Sequence, residues 1–260
     1  MPVTRPAPRV EGVCIGWLTA FVDRDGVTFN EAVRFWLAAT GSTLSTPRGD
    51  HGEFATLVPS DGDAYLRVQR VDVGGGSHLD LHVDNVEAFV GRTLSAGAGV
   101  EEPDAGPVIL RSPGGMAACV VRYHGESRRP QPHPSARGVL HLVDQLCIDI
   151  PSQCFREECQ FWSDLTGWEL RSSSVRTEFM YLIRPSTIPL RLLLQRRNDN
   201  DGPARAHLDV ASDDVEQLVA DHQVMGAVVV EEFQHWTAMA DPSGFPYCIT
   251  SRDPRTGLLS

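Results

Sequence analysis

His207 to Leu218 reads HLDVASDDVEQL, and His78 to Phe89 reads HLDLHVDNVEAF. Both open on His-Leu-Asp, alternate apolar with polar residues as a strand does, and place an Asp six positions after the His. Both then run into a helical pattern. The two histidines are 129 residues apart, and other pairs keep nearly that register. Phe35-Trp36 matches Phe161-Trp162, Thr40-Gly41 matches Thr166-Gly167, and Gln69-Arg70 matches Gln195-Arg196, all offset by 126. Beyond the loop at Gly74–Gly76 the offset becomes 129, pairing Gly97 with Gly226, Pro113 with Pro242 and Cys119 with Cys248. One three-residue insertion accounts for the change, so the chain is a tandem duplication.

Outward from the motif, each half repeats one order of elements. Val13–Val22 reads as a strand. Thr28–Thr40 reads as a helix, with Thr28 and Glu31 at capping-box spacing and Gly41 as its stop. Strands are expected near Phe54–Val58 and Ala64–Val71, then His78–Val83, a helix over Asn85–Ala96, and strands near Pro107–Arg111 and Ala117–Tyr123. The second half repeats this with Leu140–Ile150, the helix Phe155–Leu165, Phe179–Ile183, Leu190–Gln195, His207–Ala211, the helix Val215–Met225, Trp236–Ala240 and Tyr247–Thr250. Between the halves, ESRRPQPHPSAR (Glu126–Arg137) is polar, proline-rich and aperiodic, as a linker is. Residues 1–11 read as a loose arm. The expected organisation is a first domain over 12–124, a linker over 125–138 and a second domain over 139–252. Each domain would be a pair of βαβββ modules, in the α+β class, burying one face of its sheet under helices and leaving the other to line a cavity.

Composition narrows the function. The net charge is −11, which argues against nucleic acid and anionic membranes as partners. All 23 basic residues are Arg, so a lysine Schiff base or a phosphate loop with its Lys is excluded. No apolar run reaches the roughly 18–20 residues that cross a bilayer. The six cysteines form no Cys-x-x-Cys pair, and the N-terminus lacks the apolar core of a secretion signal. Free thiols in a cytoplasmic protein are expected.

The order of elements, with HLDLHVDNVEAF and SPGG…C in one half and HLDVASDDVEQL and WTAMADPSGFPYC in the other, resembles the vicinal oxygen chelate superfamily. It looks most like that superfamily's tandem glyoxalase-like, bleomycin-resistance-protein-like members. The resemblance implies two cups. In metal-using members, one inward position on the first strand and one on the last strand of each module bind a divalent cation. Carried over, these positions fall at Gln145, His207, Leu194 or Gln195, and Cys248 in the second domain. In the first they fall at Gly16 or Trp17, His78, Arg67 or Gln69, and Cys119. Where a carboxylate commonly closes the site, both domains have Cys. Non-haem Fe(II) wants two His and a carboxylate, and Mg²⁺ or Mn²⁺ wants oxygen ligands. No cofactor is therefore expected. The alternative is a divalent metal, such as Zn²⁺, at Gln145, His207 and Cys248.

The expected ligand-binding groups are Trp17, Gln69, His78, Gln145, Gln195, His207, Trp236 and Cys248. Trp17 and Trp236 would stack on a flat ligand. Trp36 and Trp162 are expected in the helix core. His207 is the candidate base, because histidine titrates near neutrality, although no carboxylate partner is identifiable from the sequence. The leading expectation is a protein that binds a small organic metabolite or antibiotic without an intact metal centre. The alternatives are a lyase, isomerase or dioxygenase working through that metal or through His207, and a structural or interaction module. A homodimer is compatible with the sequence.

Overall fold

The computed structural model describes residues 14–101, 103 and 106–259. The arm expected at residues 1–11 lies outside them. The first half runs β1 (Ile15–Asp25), α1 (Phe29–Thr40), β2 (Thr43–Leu44), β3 (Phe54–Val58), β4 (Leu66–Val71), β5 (Gly75–Val83), α2 (Val86–Ser95), β6 (Gly99–Glu101), β7 (Val108–Arg111) and β8 (Ala117–Arg122). The second half runs β9 (His133–Pro134), β10 (Leu140–Ile150), α3 (Phe155–Thr166), β11 (Glu169–Ser172), β12 (Phe179–Ile183), β13 (Arg191–Arg196), β14 (Arg205–Ser212), α4 (Val215–Val224), β15 (Val228–Glu232), β16 (Trp236–Ala240) and β17 (Pro246–Thr250). β9 lies in the segment expected to be the linker and pairs with the start of β10. Strands β2, β6, β11 and β15, which follow each helix, had not been expected; β2 and β6 have two and three residues, and β15 reads VVVEE without alternation.

The first sheet has the order β2-β3-β4-β1-β5-β8-β7-β6, and the second repeats it as β11-β12-β13-β10-β14-β17-β16-β15. At each centre, two long strands pair antiparallel and are flanked by parallel partners. Strand periodicity sorts the residues. Leu18, Ala20 and Val22 of β1 and Leu146, Ile148 and Ile150 of β10 are buried in the apolar core. The alternate residues, Thr19, Phe21 and Asp23 in one half and Gln145, Cys147 and Asp149 in the other, face the concave side.

The helix ends follow local chemistry. Asn85 and Asp214 cap α2 and α4 by accepting from Ala88 N and Gln217 N. Gly41 and Gly167 end α1 and α3 in the left-handed region, at φ 58° and 71°. The capping box expected at Thr28 does not form. Asp25, three residues upstream, accepts from Val27 N, Thr28 N and Thr28 Oγ1.

The two halves join through buried contacts. Trp36 of α1 packs on Tyr247 of β17 and donates to Asp241 at 3.1 Å. Asp241 also pairs with Arg24 at 2.5 Å, both side chains being almost fully buried. Trp162 of α3 donates to Glu158, which accepts from Gly114 N in the β7–β8 turn at 2.6 Å. Both tryptophans are thus core residues, as expected, and each lends its indole N–H to a buried acid at the seam. His133, His141 and His222 line the same seam. His222 meets Phe35 edge-on and joins Tyr247 Oη through Nδ1 at 2.8 Å.

Candidate functional site

A cavity of about 450 Å³ opens on the concave face of the second sheet. Its polar floor is Gln145, Gln195, His207, Asp209, Cys248, Arg191 and Arg252, and its wall includes Phe179, Tyr181 and Trp236. The rim is Ser172–Val175 on one side and Gly257–Leu259 on the other. Trp236 stacks on Phe233 at 4.5 Å and meets Phe179 at 5.5 Å, which fixes the plane of the aromatic wall.

His207 is the centre of the floor. It stands opposite Cys147 in the β10–β14 ladder, and Asp149 lies two residues further along β10. That diagonal brings Asp149 Oδ2 to 2.9 Å of His207 Nδ1. The other ring nitrogen, Nε2, is 3.3 Å from Asp209 Oδ1 and 3.6 Å from Cys248 Sγ. Gln145 donates to the second oxygen of Asp209 at 2.5 Å, while Oδ1 is buried without a hydrogen bond. Burial pushes His207 toward neutrality. Cys147, Asp149 and Cys248 around it push back harder, so the ring keeps its proton well above the usual histidine range. Burial raises both thiols, and the carboxylates that flank the ring, Asp149 at 2.9 Å and Asp209 at 3.3 Å, face its two nitrogens.

The first half repeats the constellation. His78 Nδ1 donates to Asp23 at 2.6 Å, and Nε2 is 3.8 Å from Asp80. Burial would lower His78, but Asp23 and neighbouring Cys119 and Asp80 raise it to about 10. Burial raises Asp80 to about 6, against the pull of His78 and Arg67. The space above differs. Phe21 stands where the second half has Cys147, and its ring stacks on His78 at 4.2 Å. Arg67 stands where the second half has Leu193, lies over Phe21 at 5.6 Å and pairs with Asp80 at 3.4 Å. Phe21 and Arg67 are both larger than Cys147 and Leu193, their counterparts in the second half.

Of the residues expected to bind ligand, Gln145, Gln195, His207, Trp236 and Cys248 converge on the second cavity. Gln69 and His78 belong to the first half. Trp17 is a correction. It is fully buried in the apolar core, with its indole donating to Ala64 O at 3.0 Å, and has no face left for a ligand. Two ambiguities resolve. Leu194 is core, and Gln195 is the cavity residue. The counterpart of Gln145 is Thr19 rather than Gly16 or Trp17, since these two stand opposite Asp209 and Asp80. The absence of a carboxylate partner for His207 is also overturned, because Asp149 and Asp209 flank it. Asp149, Arg191, Arg252 and the 257–259 rim had not been identified from the sequence.

The donor set can be tested against a metal. Nε2 of His207, Oδ1 of Asp209 and Sγ of Cys248 lie within 4.8 Å of one another. Ligands around a tetrahedral Zn²⁺, with bonds of about 2.0–2.3 Å, stand roughly 3.3–3.8 Å apart. The nitrogen, oxygen and sulfur donors suit zinc, and Asp149 behind His207 is the usual second partner of a zinc-bound imidazole. The set does not suit the two-His, one-carboxylate requirement of Fe(II) or the oxygen preference of Mn²⁺. Gln145, expected among the ligands, instead holds Asp209.

A family model described as a glyoxalase-like domain matches residues 21–121 and 145–250. No curated protein matches the chain. Among solved structures, 2,2',3-trihydroxybiphenyl 1,2-dioxygenase from Sphingomonas wittichii is 16% identical with a TM-score of 0.58, covering 91% of this chain and 89% of that one. The Mn(II)-bound glyoxalase from Novosphingobium aromaticivorans is 15% identical with a TM-score of 0.55, covering 94% and 85%. A xylose isomerase-like TIM barrel/4-hydroxyphenylpyruvate dioxygenase fusion protein is 12% identical with a TM-score of 0.57. The match covers 90% of this chain and 48% of the fusion protein, so the chain spans about half its length. At these identities the likeness is one of fold. Among the described residues, no helix is long and apolar enough to cross a membrane.

Proposed function

The chain belongs to the glyoxalase-like family of the vicinal oxygen chelate superfamily, and on that premise we propose that its second half binds a small, flat organic molecule in the cup above His207. The observation that carries this reading is the cavity itself. Its volume, aromatic wall and few convergent polar groups are those of a small-molecule site. Trp236 and Phe179 offer a face to stack on, and Gln145, Gln195 and the His207 imidazolium offer hydrogen bonds from the floor. The first half serves as a closed relative of this site, held shut by Phe21 and Arg67. All six cysteines are free, which supports a reducing, cytoplasmic setting.

The test is a thermal-shift screen of aromatic metabolites and antibiotics on the wild type and Trp236→Ala. A ligand at 100 times its Kd stabilises by about 2.7 kcal/mol, a shift of several degrees. At least one compound shifts the wild type, and the shift is lost in Trp236→Ala. A screen in which no compound shifts the wild type overturns the reading.

The convergence of His207 Nε2, Asp209 Oδ1 and Cys248 Sγ favours a second reading, an enzyme using Zn²⁺ on these three residues in place of the His207 Nε2 proton. Bound there, zinc would supply Lewis-acid polarisation of a substrate oxygen. Asp149 would orient the His207 ring, and Gln145 would hold Asp209. Elemental analysis of protein purified without chelator decides it. About one zinc per chain, lost in Asp209→Asn, supports this reading. Less than about a tenth of an equivalent, unchanged on adding zinc, removes it.

A further inference from the structure

Arg191 and Arg252 line the floor of the second cup, and Arg184 lies near enough to interact with them, with Arg129 and with Asp144. Asp144 sits at a bulge in β10, between Val143 and Gln145 in the register. It is fully buried and is gripped by both Nε and Nη2 of Arg252, which is itself buried. Arg191, at the start of β13, donates to Gly257 O and lies over the Tyr181 ring at 5.7 Å. The Nε atoms of Arg184 and Arg129 are buried without a hydrogen-bond partner. Burial lowers Arg184 to about 10, assisted by the positive charges of Arg129, Arg191 and Arg252 and opposed by Asp144 alone.

Counted as charges, four guanidiniums stand against two carboxylates, Asp144 and Asp209, the second 3.9 Å from Arg252 Nη1. Arg252 is buried and Arg129, Arg184 and Arg191 are half-buried, and a partly desolvated excess of positive charge is favoured by an anion that offsets it. Asp209 Oδ2 already accepts from Gln145. His207 adds no free positive charge, because Asp149 compensates its proton. Two of the four arginines, Arg191 and Arg252, face the cavity directly. The excess charge is therefore presented to whatever enters the cup. This occurs in a protein whose overall charge is −11, so the field is local to the floor.

We propose that the second cup selects a planar organic anion, an aromatic carboxylate, whose negative group seats against Arg191 and Arg252 while its ring lies along Trp236 and Phe179. The proposal deepens the reading of the cup as a small-molecule site and rests on it. A guanidinium presents two parallel N–H donors to a carboxylate, which matches the planar head of such a ligand. The aromatic wall and floor of one cavity hold both ends.

The experiment is calorimetric titration of four probes that share one ring system: 1-naphthoate, 1-naphthyl phosphate, neutral 1-naphthamide and cationic 1-naphthylmethylamine. The proteins are the full chain, Arg191→Gln and Arg191→Lys, at constant ionic strength. In the wild type, 1-naphthoate binds at least tenfold tighter than 1-naphthamide, and the amine does not bind. In Arg191→Gln that preference falls below threefold while the affinity for 1-naphthamide is unchanged. Arg191→Lys, which keeps the charge but not the paired donors, retains a preference between threefold and tenfold. Equal binding of naphthoate and naphthamide, or a preference that survives in Arg191→Gln, overturns the proposal and leaves the cup as a neutral-ligand site. Tighter binding of the phosphate than the carboxylate overturns the carboxylate assignment. Absence of binding by all four overturns this proposal. The wider compound screen then decides the cup separately.

Discussion

Acidification should unfasten the two halves at His222. The ring is fully buried on α4, against Phe35 of α1 and Tyr247 of β17, with His141 and His133 behind it and Asp221 beside it. Burial, helped by His141 and His133 and opposed by Asp221, lowers its pKa from 6.5 to about 3. A histidine whose folded pKa lies below its unfolded one is fully stabilising above pH 6.5 and loses that stability as pH falls. The unfolded chain takes up a proton there that the folded chain refuses. The slope for one such proton is about 1.4 kcal/mol per pH unit. From pH 6.5 to pH 4 the loss therefore reaches about 3 kcal/mol, a large share of a typical stability of about 5–15 kcal/mol. The isolating comparison is with His222→Gln, which keeps a partner for Tyr247 Oη and does not titrate. Burial likewise lowers His133 to about 4, but that residue titrates in both chains and cancels to first order in the difference. Urea unfolding at pH 7, 6, 5 and 4 is the assay. The advantage of the wild type over His222→Gln should shrink by about 3 kcal/mol between pH 7 and pH 4. A difference constant to within about 0.5 kcal/mol refutes the argument.

Other perturbations test the seam and the site. Asp241→Asn leaves Arg24 buried without its charge partner and weakens the bond to Trp36. It should cost about 3–5 kcal/mol in urea unfolding, whereas replacing both Arg24 and Asp241 with apolar residues should cost less. Asp149→Asn removes the carboxylate that keeps His207 protonated. The His207 ring proton signal in NMR, flat across pH 5–8 in the wild type, should then titrate inside that window. A wild-type ring that already titrates there contradicts the assignment of charge.

The duplication was legible because it is written in local chemistry. His-Leu-Asp strands and the Gly stops after Thr40 and Thr166 each declare themselves within a few residues. The tryptophans of α1 and α3 were legible as core by helical spacing. Trp17 shares the parity of Thr19 and Phe21, which pointed to the concave side, but it is buried and its indole donates to Ala64 O, and a cover 47 residues away carries no local signal. Asp149 escaped notice because its meeting with His207 is a diagonal across two strands 58 residues apart. A signal was present all the same. The offset of 126 places Asp23 on Asp149, and a carboxylate repeated in both central strands marks a shared position. The closure of the first cup was hidden in the differences between the repeats, Phe21 against Cys147 and Arg67 against Leu193. Arg252 ends the expected second domain and its counterpart at the offset of 129 is Tyr123, while the 257–259 rim lies beyond the duplicated unit, so no repeat pointed to either.

The central claim is that the second cup is open where the first is closed, and the direct measurement is binding after the two are exchanged. Cys147→Phe with Leu193→Arg gives the second cup the contents of the first. Ligand-observed NMR against a library of small aromatic compounds should give binders with the wild type and none with this variant, at unchanged circular dichroism. Phe21→Cys with Arg67→Leu, which spares the second cup, should keep them. The same compounds binding wild type and closed variant alike would contradict the account.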